Sequence, residues 1–322
     1  MIIVRTPLRV SLFGGGTDID PYMTKYGGKV LSFCINKYIY LSIHPLVESE
    51  DIMLKYSINE RVNKPELIQH NVFRVVLQEH DLRGIDIAVS SDIAAGTGLG
   101  SSSAFTVGLI HLVEEYLGKT PSKRYLANKA CDVELDMLKE PIGIQDQFAA
   151  AFGGVNIFEF NSRSDVAVQP IYPEERMLQI MSLNMLLVRV TGERSASALL
   201  LKQRRMMHQD EVIESLNDNK DMVDLGFEAW KTSAIELGKL LDKAWNSKKK
   251  LSSSISNDKV DFMYQKLISE GFYGGKLLGA GGNGYLLMVG NQAVVAKTHL
   301  SKEYSTLALN IDTNGSHVIY TS

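Results

Sequence analysis

One short segment constrains this chain more than any other. Gly96-Thr97-Gly98-Leu99-Gly100-Ser101-Ser102-Ser103-Ala104 lies between two patterned stretches. Before it, residues 85–93 (IDIAVSSDI) show period-two apolar placement, a strand signal. After it, Phe105, Leu109, Leu112, Val113, Tyr116 and Leu117 recur at helical spacing, with Gly118 as a stop. Glycines let a backbone turn tightly and bring its N–H groups close to an anion. A helix start adds free N–H groups and the positive end of the helix dipole. Serine hydroxyls can donate to phosphate oxygens or bind Mg²⁺. The segment therefore reads as a phosphate loop, with a flexible serine-capped turn as the plain alternative. No Gly-Lys-Ser/Thr follows the glycines, so this is not a Walker A loop. Ser103 stands where a dinucleotide fingerprint counted from Gly98 needs its third glycine.

Two further glycine-rich segments flank it in sequence. Gly279-Ala280-Gly281-Gly282-Asn283-Gly284 matches GxGxxG, but the strand-like YLLMV follows where a Rossmann site needs a helix. A close backbone approach, to a ligand or to another loop, fits that context; a plain hairpin turn is the alternative. Gly14-Gly15-Gly16-Thr17-Asp18 follows the strand-like RVSLF. Three glycines in a row suggest backbone crowding. Asp18 at the exit could accept two sugar hydroxyls, or simply close a turn.

Composition narrows the class. The 322 residues are 45% hydrophobic and 22% charged, which fits a globular chain long enough for two domains. A net charge of −3 gives no global drive toward nucleic acid or an anionic membrane. Cys34 and Cys131 form no CxxC pair, which excludes a disulfide framework or cysteine-rich zinc site and fits a reducing, cytoplasmic setting. MIIVRTPLRVSLF does not read as a signal peptide, and no apolar run is long enough to span a bilayer. The seven histidines show no metal-ligand spacing.

Helices are expected over 66–80, 195–209, 222–247 and 258–270, and strands at 38–44, 284–289, 306–310 and 317–320. Leu126, Ala130, Val133 and Met137 should share one helix face. The polar, proline-containing stretch 161–176 suggests a domain boundary, giving units of 1–170 and 171–322. The lysine run 248–250 followed by LSSSIS reads as an exposed link.

Taken in order, PLRVSLFGGGTD (7–18), AAGTGLGSSSA (94–104) and KLLGAGGNG (276–284) resemble the three motifs of the GHMP kinases. The likeness spans nearly the whole chain. It implies an α+β, two-domain GHMP kinase fold, with a ribosomal-protein-S5-like N-terminal domain and a ferredoxin-like C-terminal domain. RTPLRVSLFGGGTD, QDQFAAAFGG (145–154) and TGERSASALL (191–200) look like one branch of that family. Its members phosphorylate the anomeric hydroxyl of D-glycero-D-manno-heptose 7-phosphate; fucokinase- and galactokinase-like enzymes share much of the pattern. Two positions depart from the family: Ala94 where proline often opens the phosphate loop, and Ile144 where lysine often precedes the Gln-Asp-Gln.

The resemblance implies roles residue by residue. Asp146 matches the catalytic aspartate, a general base for the attacking hydroxyl; an N-cap is its plain alternative. Arg9 would stabilise transition-state charge, or form a structural ion pair. Gly96 to Ser103 would hold ATP, and Ser102 with Glu134 would bind Mg²⁺. Asp132 and Asp136 should point away from Glu134. Asp18, with Gly15, Gly16, Thr17 and Gly281, would line the sugar site. Arg194 is the candidate for a second phosphate on the sugar, while Lys202, Arg204 and Arg205 read as a solvated helix face. The implied partners are ATP and a small sugar or sugar phosphate; nucleic acid and membrane are not expected, and a homodimer stays open. Two other functions stay open as well. One is a non-catalytic sugar and ATP sensor on the same fold. The other is a dinucleotide-dependent oxidoreductase, weakened by the context of both GxG segments.

Overall fold

The computed structural model describes residues 1–191, 196–252 and 254–322. The first sheet is built from β1 (Ile2–Phe13), β2 (Gly28–Pro45), β3 (Ile52–Lys55), β4 (Asn59–Val62), β5 (Ile85–Ser91), β6 (Val155–Phe160) and β7 (Val166–Ile171). The second holds β8 (Met185–Val190), β9 (Phe272–Leu277), β10 (Gly284–Gly290) and β11 (Thr306–Leu307). The last strand, β12 (His317–Thr321), returns to the first sheet beside β1. The protein is thus α+β with two sheets, as the sequence suggested.

β2 organises the first sheet. One edge runs antiparallel to β1 along its length, with Val4 opposite Leu41 and Arg9 opposite Cys34. Its other edge pairs first with β6, then with β5. From Thr6 onward β1 is buried at every position, because helices Ser101–Tyr116 and Gln145–Phe152 pack on this sheet. Strands covered on both faces read as continuous apolar runs rather than alternating ones. The second sheet is antiparallel throughout, in the order β11-β8-β10-β9, and helix Ala234–Lys250 packs on β9 and β10.

The apolar side chains form two clusters. Leu8, Phe33, Phe148, Phe158 and Trp230 belong to the first, and Trp245, Tyr264, Leu277 and Leu286 to the second. The second sheet contributes to both, since Met185, Leu187, Leu287 and Val289 join the first cluster. Two further features tie the clusters together. Ile19, in the loop after β1, and Tyr22, at the start of the short helix Tyr22–Tyr26, pack into the second. Helix Asp210–Thr232 reaches back to β1 and β2. The expected division at 170/171 falls at the end of β7, and the tail crosses back over it: Asn36 donates to Asn310 O, and Ile311 bridges Ile35.

Three sequence expectations change here. The helix expected over 66–80 is a short 3₁₀ turn, Pro65–Leu67, followed by a helix at Asn71–Glu79. Between them Glu60 accepts from the backbone N–H groups of Gln69 (2.7 Å) and His70 (3.4 Å), which diverts them from a helical ladder. The single helix expected over 222–247 is two, Asp210–Thr232 and Ala234–Lys250, broken at Ser233. Ser233 is extended (φ −149°, ψ 118°), and its hydroxyl caps the second helix at Glu236 N. The lysine run is not an exposed link. Lys248 to Lys250 complete the last turn of that helix, and Lys248 turns its ammonium inward to the carbonyls of Leu277 and Gly279.

Candidate active site

The site begins with three left-handed glycines. Gly96, Gly98 and Gly100 have φ of +74°, +80° and +73°, so the chain coils into helix Ser101–Tyr116 with N–H groups on one side. Gly100 occupies the N-cap and no side chain caps the helix, which leaves first-turn N–H groups free for an anion. Ser102 is exposed into the cleft; Ser101 and Ser103 are buried along its wall. Thr97 and Leu99 turn their side chains into the protein, so only their backbone is available to a ligand.

The third glycine segment packs directly on this loop. A Cβ on Gly98 would come within 2.6 Å of Leu278 O, and one on Gly284 within 2.5 Å of Thr97 O. The close backbone approach expected of 279–284 is therefore to the phosphate loop itself. Gly281 and Ala280 line the cleft beyond the contact.

Asp146 stands in the first turn of helix Gln145–Phe152. Arg9, reaching across from β1, donates Nε to Oδ1 (2.7 Å) and Nη2 to Oδ2 (2.6 Å) of that carboxylate. Its Nη1 donates to Gly98 O at 2.7 Å. One guanidinium thus ties Asp146 to the phosphate loop, and two of its five N–H donors have no partner among the described residues. Of the two readings of Arg9, the structure shows the ion pair.

Asp18 is only 1% exposed. Its carboxylate accepts from Gly16 N (3.0 Å), Gln145 N (3.1 Å) and Gln145 Nε2 (2.8 Å), leaving little capacity for a sugar. Burial first, then the charge of Asp146, raises its pKa above the usual carboxylate value. Gly15 and Gly16 line the cleft, but Thr17 does not; its hydroxyl donates to Gly14 O (2.7 Å) and closes the turn. Three buried polar atoms on cleft-lining residues lack partners among the described residues: Ser11 Oγ, His70 Nδ1 and Gln145 Oε1. Neither Ser11, inside the strand run RVSLF, nor Gln145, beside Asp146, carries a sequence signal of its own.

Glu134 lies on a widened turn. The bond from Leu138 N to Val133 O spans five residues, so the helix after Cys131 is locally a π-helix. The extra residue shifts the face: Glu134 is 2% exposed, whereas Met137, expected on the apolar face, is 47% exposed. Glu134 accepts from Ser103 Oγ (2.8 Å), Thr106 Oγ1 (2.8 Å) and Gln147 Nε2 (2.6 Å). Burial pushes its pKa up to about 7 despite those donors. Asp132 and Asp136 are exposed, as expected, and Asp136 pairs with Arg163. No group of three or more acidic, histidine or cysteine side chains could by itself hold a metal among the described residues. A cation bound chiefly by a nucleotide's phosphates needs fewer protein ligands. A buried carboxylate bonded to Ser103, the neighbour of the exposed Ser102, fits that arrangement.

These groups surround one cleft of about 570 Å³. Arg9, Asp18, Ser102, Glu134, Asp146 and Gly281 all line it. So do Lys248 and Lys276, which sequence reasoning did not single out. Arg194 lies outside the described residues; Lys202, Arg204 and Arg205 are exposed, as expected of a solvated face. No helix among the described residues is long and apolar enough to cross a membrane.

Residues 66–154 match the model of the GHMP kinases N terminal domain. A D-glycero-alpha-D-manno-heptose 7-phosphate kinase from Campylobacter jejuni is 29% identical over 301 residues, covering 88% of each chain. A galactokinase from Thermotoga maritima is 25% identical over 334 residues, covering 91% of each. Among solved structures, a D-glycero-D-manno-heptose 1-phosphate kinase from Bacteroides thetaiotaomicron superposes with a TM-score of 0.80 over the full length of both chains, at 23% identity.

Proposed function

From a chain whose residues 66–154 match the GHMP kinases N terminal domain, we infer an ATP-dependent sugar kinase acting on an anomeric hydroxyl. The acceptor that fits best is D-glycero-D-manno-heptose 7-phosphate, which would yield the 1,7-bisphosphate. The observation that carries this reading is the Arg9 bridge. It joins a carboxylate able to take a proton to the loop able to hold a triphosphate.

Phosphoryl transfer asks a protein chiefly for positioning and charge stabilisation. The uncapped helix start and its three glycines suit the polyphosphate of ATP. The acceptor hydroxyl would lie between Asp146 and that polyphosphate. Asp146 would take its proton as the acceptor oxygen bonds to the terminal phosphorus, while the bond to the bridging oxygen breaks and ADP leaves. The free N–H groups of Arg9 would meet charge building on the transferred group. Mg²⁺, when bound, supplies neutralisation of phosphate charge. Glu134 and Ser102 would hold it, and a cation would favour the ionised form of Glu134. Ser11 Oγ and Gln145 Oε1 are free to bond acceptor hydroxyls, with Asp18 fixing Gln145.

The test is ADP release in the presence of Mg·ATP with heptose 7-phosphate, free fucose and free galactose as acceptors. Turnover is expected with at least one, and fastest with heptose 7-phosphate. ADP release that no sugar stimulates would overturn the reading. Binding of ATP and a sugar without turnover would favour the sensor alternative.

A further inference from the structure

Two lysines line the cleft and take no part in the chemistry above. Lys276, in β9, is 4% exposed, and its ammonium donates to Leu12 O at 2.9 Å. Lys248 is half-buried along its stem, and its enclosed ammonium donates to Leu277 O (3.0 Å) and Gly279 O (2.5 Å). Neither ammonium meets a carboxylate among the described residues. Each carries three donors, so among the described residues two remain on Lys276 and one on Lys248.

Their surroundings are cationic. Burial, with the charge of Arg9, lowers the Lys276 pKa to about 7. Burial first, then Lys276 and Arg9, lowers that of Lys248. Among the described residues Asp146 alone of the carboxylates bonds any of these three cations, and it bonds Arg9. Carbonyl oxygens orient an ammonium without neutralising it. Burying uncompensated charge is unfavourable, and an anion entering the cleft would relieve that cost. The carbonyls that hold Lys248 belong to the strand end and loop that pack on Gly98. The lysines therefore face the phosphate loop from the second unit.

We propose that Lys276 and Lys248 form a phosphoryl-binding subsite that closes the cleft opposite the loop Gly96 to Ser103. The inference rests on the kinase reading above. The phosphoryl group comes either from the nucleotide's terminal phosphate or from the phosphate already on the acceptor. The lysines add the charge that Arg9 alone does not supply.

Calorimetric titration separates the sources. The ligands are ADP, a non-hydrolysable ATP analogue, heptose 7-phosphate and the unphosphorylated heptose. The proteins are wild type, Lys276→Met, Lys248→Met and Lys276→Arg. If the nucleotide's terminal phosphate is bound, the methionine variants weaken the ATP analogue by about tenfold or more while ADP stays within about twofold. If the acceptor's phosphate is bound, the same loss falls on heptose 7-phosphate and spares the free heptose. Lys276→Arg should recover most of either loss. Lys276→Met should melt at or above the wild-type temperature at pH 7, because a buried ammonium is removed. Unchanged affinities for all four ligands, or equal losses for phosphorylated and unphosphorylated ones, would overturn the subsite alone. A wild-type protein that binds neither nucleotide would overturn the kinase reading and the subsite with it.

Discussion

At the scale of single residues, the account turns on which charged groups meet. Asp146→Asn keeps the size of the side chain but removes the base, so kcat should fall by about 10²–10⁴-fold with little change in the KM for ATP. Unchanged turnover would exclude Asp146 as an essential base. Lys276 carries a pH signature. Its folded-state pKa, about 7, lies below the ordinary 10.5, so the folded protein binds fewer protons than the unfolded chain between those values. The stability linked to Lys276 is therefore present above about pH 10.5 and lost as pH falls toward 7. Melting temperatures of wild type and Lys276→Met should differ most at pH 7 and below, with the variant the more stable, and converge toward pH 10. A difference that does not change with pH would contradict the assigned burial. Asp146 and Arg9 were legible because they sit in motifs, and Glu134 by its place on the helix before Asp146. Lys276 opens the KLLGAGGNG motif and Lys248 the lysine run, yet neither role was legible, since both depend on a fold that turns the side chains inward from β9 and from a helix end. Asp18 was legible as a site residue, but its partners Gly16 and Gln145 could only be seen in three dimensions.

At the scale of elements, glycines do two different jobs in the phosphate loop. Gly96 has a left-handed φ of +74° and open space around it. Gly98 has a similar φ and also lies against the backbone of Leu278 and Gly279. Gly96→Ala should thus cost only about 1–2 kcal/mol of backbone strain. Gly98→Ala adds a clash with backbone and should separate the two loops, with a larger drop in melting temperature and a loss of ATP binding. Equal effects of the two substitutions would count against the packed-loop geometry. The sequence announced both glycine segments but not that each is the other's partner. It also missed the π-turn after Cys131. Regular helical spacing put Met137 on the buried face with Val133; the widened turn buries Glu134 instead. A local change of period is invisible when apolar residues are counted at fixed spacing.

At the scale of the whole molecule, the chain's two ends belong to one sheet. β12 pairs with β1, and Ser316 Oγ lies within 2.9 Å of both Thr6 Oγ1 and His111 Nδ1 in the buried interior. Gly315 packs so tightly on Gly153 that a Cβ at 153 would come within 2.0 Å of its nitrogen. A fragment of residues 1–170 should therefore fail to fold cooperatively alone, and a peptide of residues 309–322 should improve its folding; a stable fragment without the peptide would contradict this. The return of the tail was not legible, because 317–320 reads as an ordinary strand with no mark of its partner. The α+β class was legible, since ordered motifs and alternating strand and helix patterns agreed. The arrangement of loops, helix start and Arg9 around one cleft has a single chemical consequence to check. Phosphorus NMR of the purified protein with Mg·ATP and heptose 7-phosphate reads both the transfer and its position. The expected result is one new phosphate signal coupled to the anomeric proton, formed in step with ADP. Phosphate appearing at another carbon would contradict the anomeric assignment, and no ATP-dependent phosphorylation of heptose 7-phosphate, fucose or galactose would contradict the account as a whole.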